Sequence, residues 1–357
     1  MKPTLALCLI AKNESKVIER CINSVKHLID YAVIVIDETT TDDTQNKVGL
    51  ALMDVCQFEI DRHEFKGFAS QRNRYLKLVK GKVDYCIVLD ADEVLIDNGF
   101  DKSQLTLDGY NVGYVGDTDY YYPVIFRTSK PWQYEYVTHE IPVCKSDCIT
   151  GVIENLKINH MHDGGARHEK YERDIRLITE ELEKDPLNTR YLFYLAQSYY
   201  DTADYKNAFE TYVRRAKLGG WKQEVYFSWY RAGLCQVNLG HPEASVKYFC
   251  AARIEDFKRH ESYYELGKYY NSKNQYSDAF EQLAVAKTLP YPKEPLFFYR
   301  PVFDYLVDIE LVVTMYWLEM YKEAYDINQK LIDTVRMPEN IFRQVIKNQE
   351  FCKQKIK

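Results

Sequence analysis

The chain has 357 residues, 46% of them hydrophobic and 28% charged, with a formal net charge of −6. That length allows about two to three domains, and the composition is that of an ordinary globular protein with material for buried cores. The mild acidity argues against a protein that grips nucleic acid with a basic face, and no run approaches the ~18 apolar residues of a membrane span.

Met1-Lys-Pro-Thr4 leads straight into an apolar run, Leu5 to Ile10, with no small-residue cleavage site, so this is read as a first strand rather than a signal peptide. Ser15 is placed to cap a following helix, whose apolar positions Val17, Ile18, Cys21, Ile22 and Val25 have helical spacing. Ala32 to Ile36 reads as a second strand, ending in an acid- and hydroxyl-rich segment, Asp37 to Thr44, where Thr41 or Asp42 can cap the next helix. A third strand is expected over Val55 to Ile60 and a helix over Gly67 to Lys80. Strands alternating with helices predict a βαβ layout and a parallel sheet.

The fourth strand, Cys86 to Leu89, delivers Asp90 and Asp92 at its carboxyl end, where open α/β sheets bind their ligands. In extended backbone two acids two positions apart point the same way and can share a hard cation; the alternative is a surface turn rich in acids. The same Asp-x-Asp after an apolar strand also fits the nucleophile motif of haloacid-dehalogenase-type phosphatases. Three strands precede it, however, and no later lysine and paired-aspartate motif follows.

Four motifs then stand in order across residues 11–93: Ala11-Lys-Asn-Glu14, Asp37-x-x-Thr-x-Asp-x-Thr44, Gly67-Phe-Ala-Ser-Gln-Arg-Asn73 and Asp90-Ala-Asp-Glu93. Together they resemble the family 2 glycosyltransferases of the GT-A fold. The resemblance implies a Rossmann-like nucleotide-diphospho-sugar transferase domain and an inverting transfer from a nucleotide-diphosphate donor, UDP-linked by expectation. It places Ala11, Asn13, Glu14, Asp37, Arg72 and Asp90 around the donor nucleotide, with Asp37 at the base, Asp90 at the ribose and Asp92 on a metal. A hexosyl- or N-acetylhexosaminyl-transferase is the expected enzyme.

Gly109 to Gly116 carries three glycines, which suits either close approach to a sugar or a bent antiparallel strand. Tyr120 to Arg127 reads as a strand. Trp132 to Glu140 follows, and an inverting transfer needs a carboxylate that takes the acceptor proton. Glu140 is the candidate base, with a salt-bridged strand residue as the alternative. Tyr136 stands where relatives often have glycine. Cys144 and Cys148 lack a second pair to complete a zinc site, so a structural role is expected for them. The nine cysteines are scattered and odd in number, which suits a reducing compartment and a cytoplasmic location.

His160 and His162 follow at a strand end as candidate metal ligands, with a slight preference for His162. A set of oxygen and nitrogen donors suits Mn²⁺ better than Mg²⁺. Arg72, or a basic residue such as Arg167, is the candidate for balancing charge on the leaving diphosphate.

From Arg167 the pattern is helical only, and a repeat emerges. Tyr194-Leu-Ala196 with Tyr205-Lys-Asn-Ala208 is echoed by Arg231-Ala-Gly233 with Pro242-Glu-Ala244, then by Glu265-Leu-Gly267 with Tyr276-Ser-Asp-Ala279. Tyr321-Lys-Glu-Ala324 is a degenerate fourth copy. The period is near the ~34 residues of the tetratricopeptide repeat. The segments Asp163 to Asp174, Arg190 to Ser198 and Leu218-Gly-Gly-Trp221 resemble a family 2 subgroup fused to such repeats. The expected organisation is a catalytic domain over residues 1–166 and a helical repeat domain over 167–357 that contributes to binding a protein or glycan acceptor.

Overall fold

The computed structural model describes residues 2–115, 120–164, 170–291 and 297–356. Gly116, Gly165, Arg167, Pro292 and Pro295 lie outside the described residues, as does the expected domain junction. The chain forms two compact units, Met1–Leu177 and Ile178–Lys357.

The first unit is built on an eight-stranded sheet of order β3-β2-β1-β4-β7-β6-β10-β5. Strands β1 (Leu5–Ala11), β2 (Tyr31–Asp37), β3 (Gln57–His63) and β4 (Tyr85–Val88) alternate with helices α1 (Ile18–Val25), α2 (Thr44–Leu52) and α3 (Phe68–Val79). These four strands pair in parallel. Beyond Asp90 come β5 (Glu93–Asp97), β6 (Gly109–Tyr114), β7 (Tyr120–Arg127) and β10 (Thr150–His160). There β7 runs antiparallel to both β4 and β6, so the sheet is mixed rather than parallel throughout. The few residues between β6 and β7 cannot make the long crossover that a parallel pair requires. A ribbon of β8 (Trp132–Glu135) and β9 (Ile141–Cys144) stands apart from the sheet.

The period of two along β1 divides the core. Leu5, Leu7 and Leu9 pack with Ile18, Ile22 and Val25 of α1. Ala6 and Cys8 face the other way, into a cluster with Tyr75 and Val79 of α3. Each of the leucines, isoleucines and valines among them, fully buried, contributes roughly 1.5–3 kcal/mol.

Local differences from the sequence reading have identifiable causes. Ser15 does not cap α1, because the amides of Val17 and Ile18 both reach the Glu14 carbonyl at 3.0 Å in a turn that delays the helix. The Ser15 amide goes instead to Asp42, at 3.0 Å. Strand β3 starts two residues later than expected, since the Val55 and Cys56 amides still bond back to Leu52. Gly109 makes room for the Trp132 ring and Gly113 for Tyr121, so these glycines admit aromatic side chains rather than a ligand. Cys144 and Cys148 are joined in a disulfide with their Cα atoms 6.3 Å apart, a pairing that the sequence reading did not anticipate. The other seven cysteines are thiols.

Helix α4 (Lys170–Lys184) begins in the first unit and ends in the second. There follow the pairs α5 (Thr189–Asp201) and α6 (Tyr205–Lys217), α7 (Lys222–Asn238) and α8 (Pro242–Glu255), and α9 (His260–Ser272) and α10 (Tyr276–Thr288). A π-helical turn, Val302–Leu306, then runs into α11 (Val307–Trp317), α12 (Tyr321–Thr334) and α13 (Glu339–Lys355). Small residues set the approach within each pair: a Cβ on Gly233 would lie 2.4 Å from the Phe249 ring, and one on Gly267 would lie 2.5 Å from Leu283. In the second helices Ala208, Ala279 and Ala324 are fully buried, and so is Ser245. The repeat therefore aligns on Ser245 and not on Ala244. The Ser245 hydroxyl is satisfied by the Pro242 carbonyl at 2.6 Å, so it tolerates burial.

Candidate active site

The carboxyl ends of β1, β2 and β4 open onto a cavity of about 270 Å³. Strand β1 contributes Ile10 and Ala11, followed by Lys12 and Glu14. Asp37 comes from the end of β2, and Asp90, Ala91 and Asp92 follow β4. Helix α3 adds Phe68, Gln71 and Arg72, and His160 and Gly164 come from the end of β10.

The Asp-Ala-Asp segment is a tight turn closed by the Glu93 amide on the Asp90 carbonyl at 3.0 Å, the alternative that the sequence left open beside an extended stretch. The turn sends the two acids to different partners. Asp90 Oδ1 accepts from Arg72 Nη2 at 2.7 Å, and Arg72 Nε donates to Glu140 Oε1 at 2.5 Å. Burial works against the Arg72 charge, but Asp90, Tyr75 and Glu140 outweigh it and hold the pKa well above its usual value. Arg72 thus links Asp90 to the candidate base and is fully committed. Asp92 Oδ2 lies 3.1 Å from His160 Nε2 and accepts the Gly164 amide at 3.3 Å. Burial would raise the Asp92 pKa, yet the His160 ring and the Gly164 amide keep it below the usual carboxylate range. The hydrogen bond to Asp92 in turn raises His160. Behind the turn, Glu93 accepts from the Asp90 amide at 2.8 Å and from the Tyr114 hydroxyl at 3.0 Å. Burial, followed by the Asp90 charge, pushes its carboxyl up to about 7.

Asp37 is buried, and its Oδ1 takes both the amide and the hydroxyl of Thr39, at 2.8 and 2.7 Å. Its Oδ2 has no hydrogen-bond partner among the described residues, with Lys12 Nζ 3.4 Å away. Burial opposes ionisation there, but the Thr39 hydrogen bonds and Lys12 hold the pKa below the usual value.

Ala11, Glu14, Asp37, Arg72, Asp90, Asp92 and His160 all line the cavity. Asn13 does not: it sits at φ +54°, and its side-chain oxygen accepts the Thr41 amide at 2.9 Å, bracing the loop after β2. Glu140 lies behind Arg72, off the cavity lining. His162 stacks on His160 with ring centroids 4.1 Å apart, and it is His160 that faces Asp92. The sequence reading missed Lys12, Phe65, Phe68, Gln71 and Arg173. The first four lay within or beside quoted motifs, and Arg173 lay in the Asp163 to Asp174 segment, but side-chain direction around a turn is not written in spacing.

Asp92 and His160, whose Oδ2 and Nε2 are 3.1 Å apart, are the side chains that would hold a divalent cation if one were bound. Among the described residues no cluster of three or more His, Cys, Asp or Glu forms a complete cage. A carboxylate and an imidazole on one side suit an ion that takes its other ligands from phosphate oxygens. Gly164 keeps that space open, since a Cβ there would lie 3.2 Å from Asp92 Oδ2 and 3.4 Å from Glu14 Oε1.

The fold is a Rossmann-like domain with a polar cavity at the carboxyl ends of its strands, and comparison with known proteins bears on its class. Residues 6–172 match the family model for glycosyl transferase family 2. The chain is 27% identical over 212 residues to the SPbeta prophage-derived glycosyltransferase SunS of Bacillus subtilis (strain 168), and equally to glycosyltransferase SunS of Bacillus phage SPbeta. The match covers 55% of this chain and 49% of each relative, so the chain spans about half the length of the curated relatives it matches. Among solved structures it is similar to the MamA protein (17% identity, TM-score 0.38, 47% of this chain and 90% of that one). It is also similar to YrrB, described as a TPR protein with an unusual peptide-binding site (16% identity, TM-score 0.39, 51% and 84%). At these TM-scores the likeness adds nothing to the paired-helix geometry itself.

Proposed function

We propose that the protein is an inverting glycosyltransferase that uses Mn²⁺, or Mg²⁺, to move a hexosyl or N-acetylhexosaminyl group from a UDP-linked donor to an acceptor hydroxyl. The charge of the cavity carries this reading. Four carboxylates, Glu14, Asp37, Asp90 and Asp92, face three fixed cations, Lys12, Arg72 and Arg173. A diphosphate adds more negative charge and enters such a site only with a counter-ion. Asp92 and His160 are the side chains to hold it, and there a divalent ion supplies Lewis-acid stabilisation of the leaving diphosphate.

The remaining chemistry falls to the protein. Asp37 offers one buried oxygen in the acceptor role, its other oxygen being held by Thr39. A single acceptor matches the one ring N–H of uracil, whereas guanine presents two adjacent donors that call for both oxygens of a carboxylate. Glu140 is the base that takes the acceptor proton as the hydroxyl attacks the anomeric carbon. Its pairing with Arg72 orients it, and the Tyr122 hydroxyl fixes its backbone carbonyl at 2.8 Å. Because Arg72 also holds Asp90, base and donor sides are tied through one guanidinium. The helical repeats contribute to binding the acceptor, a protein or a glycan. No helix among the described residues is long and apolar enough to cross a membrane.

Calorimetric titration with UDP, with and without Mn²⁺, tests the reading. Mn²⁺ should tighten binding at least tenfold in the wild type and have little effect in Asp92→Ala, whose turnover on a panel of UDP-sugars should fall by two or more orders of magnitude. Metal-independent binding of equal strength in both proteins would refute it.

A further inference from the structure

Each of the three cations that line the cavity lies within ion-pair distance of a carboxylate, but only Arg72 is hydrogen-bonded to one. Arg72 is divided between Asp90 and Glu140, at 2.7 and 2.5 Å, and Lys12 lies 3.4 Å from Asp37. Arg173 is set apart by the aromatic ring beneath it. It stands in the first turns of α4, and its side chain is 22% exposed. Its guanidinium carbon is 4.8 Å from the centre of the Phe68 ring. Its Nε is buried without a hydrogen-bond partner among the described residues, and the nearest carboxylate, Asp174, is 3.5 Å away and accepts no hydrogen bond from it.

A guanidinium spread over an aromatic face is held in place while its edge donors stay available. Phosphate oxygens match that fork, with two parallel N–H donors to one phosphoryl group. The neighbouring Asp174 is almost wholly buried and lies 4.0 Å from His139, the residue before Glu140, so this helical turn is anchored against the candidate base loop.

We propose that Arg173 is the diphosphate-binding arginine of the site, the role that the sequence reading gave to Arg72 or Arg167. It lies one residue past the end of the family match. Its charge meets the oxygens on which negative charge grows as the glycosidic bond breaks, and the electron pair of that bond leaves with the diphosphate. Arg72, by contrast, is a positioning residue for Asp90 and Glu140. This assignment rests on the donor reading above.

The test compares UDP with uridine, which carries the base and ribose but no phosphate, on full-length wild type, Arg173→Ala and Arg173→Lys in the presence of Mn²⁺. Arg173→Ala should weaken UDP by roughly 10–100-fold and leave uridine within about twofold, in line with loss of a charge-assisted hydrogen bond. Arg173→Lys, which keeps the stem and a point charge but not the fork, should fall between the two. Equal affinity of wild type and Arg173→Ala for UDP would overturn the role of Arg173 alone. So would parallel losses of UDP and uridine, which would mark a packing residue. Failure of the wild type to bind UDP, GDP or ADP would overturn the donor reading and this assignment with it.

Discussion

Asp42 gathers three donors: the Ser15 amide at 3.0 Å, the Thr44 amide at 3.1 Å and the Thr44 hydroxyl at 2.5 Å. The Thr44 oxygen in turn accepts the Glu14 amide at 2.8 Å, so one exposed carboxylate fixes the backbone of a cavity residue. Although burial opposes it, these hydrogen bonds draw the Asp42 pKa from 3.8 to about 2. A lowered folded-state pKa means stability that is full above the unfolded value and lost as pH falls through the folded one. Asp42→Ala should therefore cost about 1 kcal/mol at pH 6, the usual worth of a lost helix-terminus acceptor. Thermal melts should show the gap between wild type and variant closing between pH ~4 and ~2. The start of α2 was legible to within two residues, because an acid before a helical pattern is an ordinary start signal, although the N-cap position falls to Asp43 and not to Thr41 or Asp42. The hold of Asp42 on Ser15 was not legible, since that contact joins two loops that only the sheet brings together.

At the scale of single elements, sequence was most informative where one physical demand dominated. Helix α3 was bounded to within one residue at each end, since Gly67 at φ +114° and the loss of pattern after Val79 leave few alternatives. Strand β3 was misplaced because Glu59, Asp61 and Arg62 interrupt its apolar character, and Asp61 is neutralised by Arg74 at 2.8 Å, a partner on another element. The repeat was read one residue off in its second copy because alanine was sought where serine does the same packing. The crossing points are sharper tests of that packing. Gly233→Ala would force a Cβ to 2.4 Å from the Phe249 ring and should destabilise the protein by roughly 1–3 kcal/mol, the cost of overpacking. Ser245→Ala should be close to neutral, because donor and partner sit within one helical turn. Chemical denaturation of the two variants side by side checks both.

Over the whole molecule, the order of motifs made the transferase domain and the repeats legible, and it named seven residues that do meet at one cavity. What it could not supply was direction: the turn at Asp90–Glu93, the stacking of His162 behind His160, and the entry of Arg173 from a later helix all depend on tertiary placement. One long-range tie also escaped it. Phe297, at φ +49°, places its ring 5.8 Å from Phe193 of α5 and 5.0 Å from Phe227 of α7. A repeat array otherwise holds together through nearest neighbours, so this contact joins the last section to the first repeats. Phe297→Ala should broaden the urea unfolding transition of the helical unit and lower its apparent m-value, as the array loses cooperativity. An unchanged, equally steep transition would show the tie to be dispensable.

Helix α4 is continuous across the boundary between the two units, with Arg173 on one side and Ile178 on the other. This constrains how such a protein can be assembled by recombination. A crossover that joined a family 2 domain to foreign repeats at the edge of the family match would exchange the very turn that carries Arg173. Only junctions placed after α4 would keep Arg173 together with the other residues that line the cavity, so the helix should be inherited with the first unit even though most of its length lies outside the family match.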